Sequence, residues 1–188
     1  MNVYDFDKTI YNGDSSVDFY LFVLCRMPYL VVLLPFQIWG MMLYLFGIYS
    51  KEKMKEAFFV FVRYIPVSKM TSFFWKRNSK KIKNWYLQQK QDSDVVISAS
   101  PEFLLDPIVC GYLGVKLIAS KIDPVNVKYI GKNCYGEEKV LQFNKIYPRE
   151  SIDSFYSDNK SDASLAHIAK NAFLVRGNII KKWGYHGI

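Results

Sequence analysis

A chain of 188 residues fits one core domain with a modest insertion, and 51% hydrophobic with 22% charged residues excludes a largely disordered polypeptide. The sequence contains no internal repeat or low-complexity tract, which excludes repeat and fibrous architectures. The net charge of +8 favours an anionic partner.

Short apolar runs predict the strands of a sheet. In chain order, we expect the first strand and its exit at 2–7, and further strands at 95–98, 115–119, 155–156 and 173–175. Helical patterns separate these runs. The alternation predicts an α/β fold with a doubly wound, mainly parallel, Rossmann-like sheet.

Helix signals follow the second predicted strand. Ser100 is expected to cap a helix that has Pro101 at its first position. Further helices are expected to begin at Lys139 and to occupy 162–170. Residues 122–138 contain proline and two glycines, and they predict turns or a small hairpin.

The spacing of the first two strands predicts an insertion. They lie about 80 residues apart, whereas a βαβ unit needs only about 30. We expect the surplus to form an aromatic-rich helical cap at 13–91. The core would then comprise residues 1–12 and 92–188.

Carboxylates follow two of the predicted strands. Asp5-Phe6-Asp7-Lys8-Thr9 follows the first apolar run, and Ser157-Asp158-Asn159-Lys160-Ser161-Asp162 follows the run that ends at Tyr156. Ligands of parallel sheets bind beyond the carboxyl ends of the strands, so we expect these acids to converge. Like-charge repulsion opposes this, and Mg²⁺, which favours carboxylate oxygens and recruits phosphate, would relieve it.

These stretches resemble the motifs of the haloacid dehalogenase-like superfamily. Asp5-Phe6-Asp7-Lys8-Thr9-Ile10 is similar to its first motif and Val95-Val96-Ile97-Ser98 to its second. Lys139 stands where the third motif has a lysine, and Asp158 and Asp162 match the acidic fourth motif. The order of the motifs, with a cap between the first two, resembles the phosphoserine-phosphatase-like branch.

The resemblance implies a phosphatase with an aspartyl-phosphate intermediate. Asp5 would be the nucleophile, and Asp7 the general acid and then the general base. Ser98 and Ala99 would bind the substrate phosphate. Lys139 would bind it too and would neutralise charge on the phosphate and the nucleophile.

The resemblance also implies a Mg²⁺ cofactor. Asp5, the backbone carbonyl of Asp7 and Asp158 would ligate the metal. Thr9 would orient Asp7 or support the turn, and Asp162 would hold the metal's water molecules or the motif lysine.

The fourth motif departs from the glycine-rich form common in this superfamily, GDGxND. Ser157, Asn159 and Ser161 stand in its place, which bears on the metal geometry but not on the two aspartate positions. His167 and His186 lie outside any motif and are interpreted as surface or packing residues.

Residues 27–50 carry no charge. As one straight helix they would span about 36 Å, enough to cross a bilayer. One crossing would separate Asp5 from Lys51 and from Asp158, which is incompatible with a shared catalytic site. Two interpretations remain: short helices packed inside a soluble cap, or a shallow hairpin in one leaflet.

Residues 51–90 contain 11 Lys and Arg against 2 Glu, so this segment carries +9 in a chain whose total is +8. Basic residues interleaved with Trp and Tyr suit an anionic membrane surface. We therefore expect a lipid-linked phosphomonoester as substrate, and phosphatidylglycerophosphate first, because some family members that resemble this chain are phosphatidylglycerophosphatases.

Two alternatives stay open at this point. One is a soluble phosphatase for a small substrate such as phosphoserine. The other is a nucleic-acid-binding module, since basic and aromatic helices suit stacked bases and phosphates. The chain has no nucleic-acid motif, so nucleic acid is not an expected partner.

The cysteines and the first residues favour a cytoplasmic location. Cys25, Cys110 and Cys134 show no metal-ligand spacing and are odd in number, which is typical of a reducing compartment. Asp5 and Asp7 occupy the place of a basic signal-peptide segment. We expect a peripheral protein at the inner face of the membrane.

Overall fold

In the computed structural model, which describes residues 1–184, most of the strands join one sheet. The strands are β1 (Asn2–Tyr4), β2 (Val95–Pro101), β3 (Lys116–Ser120), β4 (Ile122–Asp123), β5 (Lys128–Tyr129), β6 (Ile152–Ser157), β7 (Ala169–Arg176) and β8 (Ile179–Lys182). The six-stranded sheet has the spatial order β3-β2-β1-β6-β7-β8 and is parallel except for β7 with β8. The predicted α/β class with a mainly parallel sheet is confirmed.

The helices fall into two groups along the chain. They are α1 (Ser15–Arg26), α2 (Leu34–Leu45), α3 (Lys51–Phe58), α4 (Val67–Asn78), α5 (Asn84–Gln89), α6 (Glu102–Val109), α7 (Glu137–Ile146) and α8 (Ala163–Ile168). Helices α1 to α5 lie between β1 and β2, and α6 to α8 connect the later strands. Strands β4 and β5 form a separate antiparallel hairpin within the segment predicted as turns.

The end of the chain differs from the prediction. Helix α8 stops at Ile168, and β7 starts at Ala169, inside the expected helix 162–170. Pairing of β7 with β6 decides this, because Ala169 lies opposite Ile152 in the sheet. Strand β8 was not predicted; it follows a turn at Gly177, whose φ of 60° suits glycine. His186 lies outside the described residues.

Apolar side chains cover both faces of the sheet. One cluster joins the sheet to the helices before β2, with Phe19, Phe74 and Trp75 among its members. The other includes Phe143 of α7 and Leu165 of α8. The two layers hold the sheet rigidly, so that its carboxyl edge offers a fixed platform for side chains.

The uncharged segment is helical and largely exposed. Pro28–Leu45 is long and apolar enough to cross a membrane, and 17% of it is buried. Only one face of α2 is covered: Gln37 is bonded to the Tyr20 hydroxyl and to the Phe58 carbonyl, and Gly40 packs against Ala57. Most of the segment therefore lies at the surface of the folded chain.

We call the exposed apolar side chains of this region the apolar platform. Its members are Tyr29, Val31, Val32, Leu34, Phe36, Ile38, Trp39, Met41, Met42, Leu45, Phe46 and Ile48. Exposed apolar side chains that are concentrated in one segment are typical of an interaction surface.

Candidate active site

Two neighbouring strands bring the acidic motifs together. β1 and β6 pair in parallel with Tyr4 opposite Tyr156, and the backbone N–H of Asp5 donates to the Tyr156 carbonyl at 2.8 Å. Asp5 and Asp158 thus leave the same edge of the sheet side by side. The convergence expected from the sequence follows from this register.

A tight turn after Asp7 links the two motifs. Lys8 has a φ of 57°, a left-handed conformation that is uncommon for lysine, and it lets the chain fold back. The Thr9 hydroxyl then donates to Asp5 Oδ2 at 3.2 Å and accepts from the Asp158 N–H at 2.9 Å. Thr9 therefore supports the turn and contacts Asp5; its side chain forms no hydrogen bond with Asp7 in the described structure.

Lys139 forms the buried electrostatic centre of the site. Its Nζ lies 2.8 Å from Asp5 Oδ1 and 2.8 Å from Asp162 Oδ2. The Ser157 hydroxyl donates to the same Asp162 oxygen at 2.7 Å. Asp162 therefore forms a buried ion pair with the lysine.

Burial and charge pairing shift the pKa values of Asp5 and Lys139 in opposite directions. Burial would lower the pKa of Lys139, but Asp5 and Asp162 raise it above its ordinary value. Burial raises the pKa of Asp5, while the Lys139 ammonium opposes that rise. The lysine therefore stays charged, whereas the nucleophile candidate needs further positive charge to be fully ionised at neutral pH.

Asp7 has separate partners. Its Oδ1 accepts from the Ser15 N–H at 2.6 Å, and its Oδ2 accepts from the Ser100 hydroxyl at 2.5 Å. Burial, with Asp14 nearby, raises the pKa of Asp7 to about 6. A carboxyl that titrates near neutral pH can both donate and accept a proton, as a general acid and base must.

The second motif lies at the end of β2, the other neighbour of β1. Ser98 is buried, and its hydroxyl accepts from the Ser100 N–H at 3.1 Å. The expected cap is wrong: Pro101 remains extended (φ −63°, ψ 137°), α6 begins one residue later, and the Ser100 hydroxyl binds Asp7. The Ser100 hydroxyl donates to a carboxylate in the segment that follows β1, and it does not cap α6.

All the predicted site side chains except Thr9 face one cavity of about 160 Å³. It is lined by Asp5, Asp7, Lys8, Asp14, Ser98, Ala99, Tyr135, Lys139, Asp158, Asn159, Ser161 and Asp162. Five of these are carboxylates and two are lysines, so the cavity holds an excess of negative charge. A bound cation would balance it.

The residues fit a magnesium ion. Within residues 1–184, no three His, Cys, Asp or Glu side chains are grouped closely enough to hold a metal by themselves. Mg²⁺ does not need such a cage, because it binds through one or two carboxylates and keeps water and phosphate ligands. Asp5 and Asp158 would supply the carboxylates. Among residues 1–184, the buried Oδ1 of Asp162 has no hydrogen-bond partner, as suits an oxygen that would hold a metal-bound water.

Several residues of the site are not predicted from the sequence. Ser15 and Ser100 hold Asp7, and Asp14 and Tyr135 line the cavity. Asp14 carries a signal in the sequence, because it caps α1 immediately after the first motif. Nothing local in the sequence distinguishes Ser100 from a helix cap.

A residue of α3 also reaches the end of β2. Lys55 Nζ donates to the Ala99 carbonyl at 2.8 Å and to Asn133 Oδ1 at 2.9 Å. Burial, with Lys51 adding repulsion, lowers the pKa of Lys55 to about 8. The sequence does not distinguish Lys55 from the many basic residues around it. Its hydrogen bond to Ala99 joins α3 to the edge of the cavity.

Comparison with known proteins agrees with this geometry. A family model described as haloacid dehalogenase-like hydrolase matches residues 3–167, which include every predicted site residue. No curated protein matches the chain.

Solved structures share its fold. A protein of unknown function from Bordetella pertussis Tohama I superimposes with a TM-score of 0.70 at 19% identity, covering 92% of this chain and 87% of the other. A phosphoserine phosphohydrolase-like protein from Francisella tularensis subsp. tularensis SCHU S4 gives 0.58 at 14% identity, covering 92% and 86%. A structure titled as a phospho-aspartyl intermediate analogue of phosphoserine phosphatase gives 0.50 at 16% identity, covering 90% and 83%.

Proposed function

The chain belongs to the haloacid dehalogenase-like hydrolase family, and we propose that it is a Mg²⁺-dependent phosphomonoester phosphatase. The observation that carries this proposal is the single cavity at the carboxyl edge of the sheet. There Asp5, Asp7 and Asp158 meet Lys139, which is hydrogen-bonded to Asp5 at 2.8 Å.

In the first step, an Asp5 carboxylate oxygen forms a bond to phosphorus, and the bond from phosphorus to the alcohol oxygen breaks. Asp7 gives its proton to the departing alkoxide. Lys139 and Thr9 hold the two Asp5 oxygens, so the carboxylate is oriented before the substrate arrives. Ser98 and Ala99 at the cavity wall are proposed to bind the phosphoryl oxygens.

In the second step, a water molecule attacks phosphorus and passes a proton to Asp7. The bond between Asp5 and phosphorus breaks, which releases phosphate and restores the carboxylate. We assign Mg²⁺ to Asp5, the Asp7 carbonyl and Asp158; when bound, it neutralises charge on the phosphoryl group.

We propose a lipid-linked phosphomonoester as the substrate, with phosphatidylglycerophosphate as the first choice. The support is the exposed apolar platform beside the basic segment 51–90. In this proposal, residues 13–91 form a cap on a core of 1–12 and 92–188. The cap rests on the anionic cytoplasmic face of the membrane, and the protein is peripheral.

A soluble small-molecule phosphatase is the second candidate. Two of the structures that share the fold carry phosphoserine phosphatase or phosphohydrolase in their titles. A cavity of about 160 Å³ also suits a compact substrate. The two candidates share the chemistry at Asp5. They differ in the alcohol of the phosphomonoester, which is a membrane lipid in the first and a small soluble molecule in the second.

The experiment is phosphate release from phosphatidylglycerophosphate, lysophosphatidate, phosphoserine and sugar phosphates, with Mg²⁺ and with EDTA. We expect turnover of a lipid substrate in Mg²⁺ and none in EDTA. Release from phosphoserine alone would select the soluble candidate, and release from no phosphomonoester would overturn the proposal.

Flotation with anionic vesicles tests the membrane part separately. The protein is expected to float at low salt with vesicles that contain phosphatidylglycerol. Protein that stays at the bottom of the gradient would remove the membrane from the proposal and leave the phosphatase chemistry intact.

A further inference from the structure

A second cavity, larger than the catalytic one, lies where the cap helices meet the β4–β5 hairpin. It measures about 310 Å³ and is lined from α2 by Phe36, from α3 by Ala57, from the following turn by Val60 and from the hairpin by Val127. None of its lining residues lines the catalytic cavity. We call this cavity the groove.

Charged side chains add to the apolar lining of the groove. Lys53, Arg63 and Lys128 line it together with one acid, Glu56. Lys128 is paired with Glu56 at 2.6 Å, so these two charges cancel. Lys53 is exposed, and Arg63 donates to the neutral backbone carbonyl of Asn126. Neither forms an ion pair within residues 1–184, so two positive charges in the groove are uncompensated there.

The groove is continuous with the apolar platform. Phe36 belongs to both: it lines the groove and is 53% exposed on the surface of α2. A ligand with an anionic head and an apolar tail could therefore place its head beside Lys53 and Arg63. Its tail would follow Phe36 onto the platform.

We propose that the groove binds the headgroup of an anionic membrane phospholipid that is not the substrate. The charge of the groove and its continuity with the platform select this occupant, because a soluble anion would leave the apolar lining uncovered. The site rests on the membrane part of the proposed function.

Helix α3 connects this site to the catalytic cavity. Lys53 lies at the groove, and Lys55, two residues further along, donates to the carbonyl of Ala99 in the second motif. A lipid bound in the groove therefore holds α3, and with it the edge of the catalytic cavity, against the bilayer. This anchoring places the cavity within reach of substrate headgroups in the same leaflet.

The test compares two variants that lose the same charges. Lys53→Gln with Arg63→Gln alters the groove, and Lys76→Gln with Arg77→Gln removes two exposed cations of α4 that do not line it. Binding is measured by flotation and by titration with phosphatidylglycerol–phosphatidylcholine vesicles. We expect at least about tenfold weaker binding for the groove variant and less than about threefold for the control, since diffuse attraction acts on both equally.

Hydrolysis of p-nitrophenyl phosphate by both variants is expected to match the wild-type protein. Equal weakening of vesicle binding by the two variants would show diffuse attraction only and would overturn the groove. Unimpaired binding of the groove variant would also overturn it. Wild-type protein that hydrolyses p-nitrophenyl phosphate but binds no vesicles would refute the groove and the membrane association, and would leave the phosphatase standing.

The single variants Lys53→Gln and Lys76→Gln guard against a folding defect, because Arg63 also supports the hairpin through Asn126. Both lysines are exposed, so thermal unfolding should not change. Lys53→Gln is expected to weaken vesicle binding more than Lys76→Gln does. Binding of soluble glycerol 3-phosphate to the groove, as strong as the binding of vesicles, would contradict a lipid occupant.

Discussion

The acidic cavity and the apolar platform differ in their exposure to water: the charges of the cavity are buried, whereas the apolar side chains of the platform are exposed. Around the cavity, Asp5, Lys139 and Asp162 are buried charges that satisfy one another at 2.8 Å. On the platform, apolar side chains such as Trp39, 64% exposed, lie in solvent. Buried charge needs fixed partners, whereas exposed apolar surface needs a partner from outside the fold.

This difference predicts which properties each region controls. Changes in the cavity should alter turnover and folding stability and leave membrane binding unchanged. Changes on the platform should alter membrane binding with little effect on turnover or folding stability. Five measurements, from the largest expected effect to the smallest, test this separation.

Asp5→Asn is expected to lower turnover by at least about a thousandfold, because the amide cannot attack phosphorus. Phosphate release measures it, and Asp92→Asn, at a fully exposed side chain, is the control. Vesicle flotation of the Asp5 variant should match wild type. Substantial residual turnover would refute the nucleophile assignment.

Lys139→Met should lower the free energy of unfolding by about 3–5 kcal/mol, because it leaves Asp5 and Asp162 buried without their cation. Urea denaturation measures the change. Lys145→Met, an exposed position on the same helix, should have little effect. Equal stability of the two variants would mean that the buried ion pairs contribute little.

Gly40→Val tests the contact between the platform helix and α3. A Cβ at Gly40 would lie 2.5 Å from the Ala57 Cβ, so the helices must move apart. We expect a loss of about 1–3 kcal/mol in the free energy of unfolding. Met41→Val, at an exposed neighbour, is the control, and an unchanged stability at position 40 would contradict the close packing.

The affinity for Mg²⁺ should rise with pH, by about tenfold or more between pH 5.5 and pH 8. Burial raises the pKa of Asp5, and protons compete with the metal for its carboxylate. The folded state of the metal-free protein also favours a protonated Asp7, whose pKa of about 6 lies above its ordinary value. The contribution of Asp7 to the stability of the metal-free protein is therefore fully present below the ordinary pKa of an aspartate and is lost as pH rises through about 6.

Calorimetric titration of metal-stripped protein at the two pH values measures this dependence. Asp14→Asn, which removes a charge near Asp7 and leaves the ligand set intact, should lower the pKa of Asp7. An affinity for Mg²⁺ that is independent of pH would argue against a metal at these carboxylates.

Trp39→Ser is expected to change the free energy of unfolding by less than about 0.5 kcal/mol, because this side chain is mostly exposed. Its vesicle binding should nevertheless fall, since the indole ring is part of the surface that would enter the lipid interface. Thermal unfolding and flotation measure the two effects. A large loss of stability would show that the platform is covered within the folded chain.

The sequence alone predicts much of the candidate site. Asp5, Asp7, Lys139, Asp158 and Asp162 were identified because each follows an apolar run or matches a motif position. The motifs of Asp5 and Asp158 converge because β1 and β6 pair in parallel, and strands of a parallel sheet that are covered on both faces are short apolar runs.

Other features could not be read from neighbouring residues. Ser100 has the sequence signal of a helix cap, but its hydroxyl binds Asp7, which is 93 residues away. Residues Ala169 and Lys170 follow a helical pattern, yet they join β7 because β6 offers a partner. In both cases a long-range contact outweighs the local preference.

The amino-acid sequence by itself determined the class of fold, the motif order and the long uncharged segment. These depend on residue type and spacing, which are local properties of the chain. Only the tertiary structure decided which side chains hold Asp7, that 27–50 is exposed, and that a basic groove adjoins it. Such features arise where segments distant in sequence pack together, because burial and hydrogen bonding depend on neighbours that sequence order does not reveal.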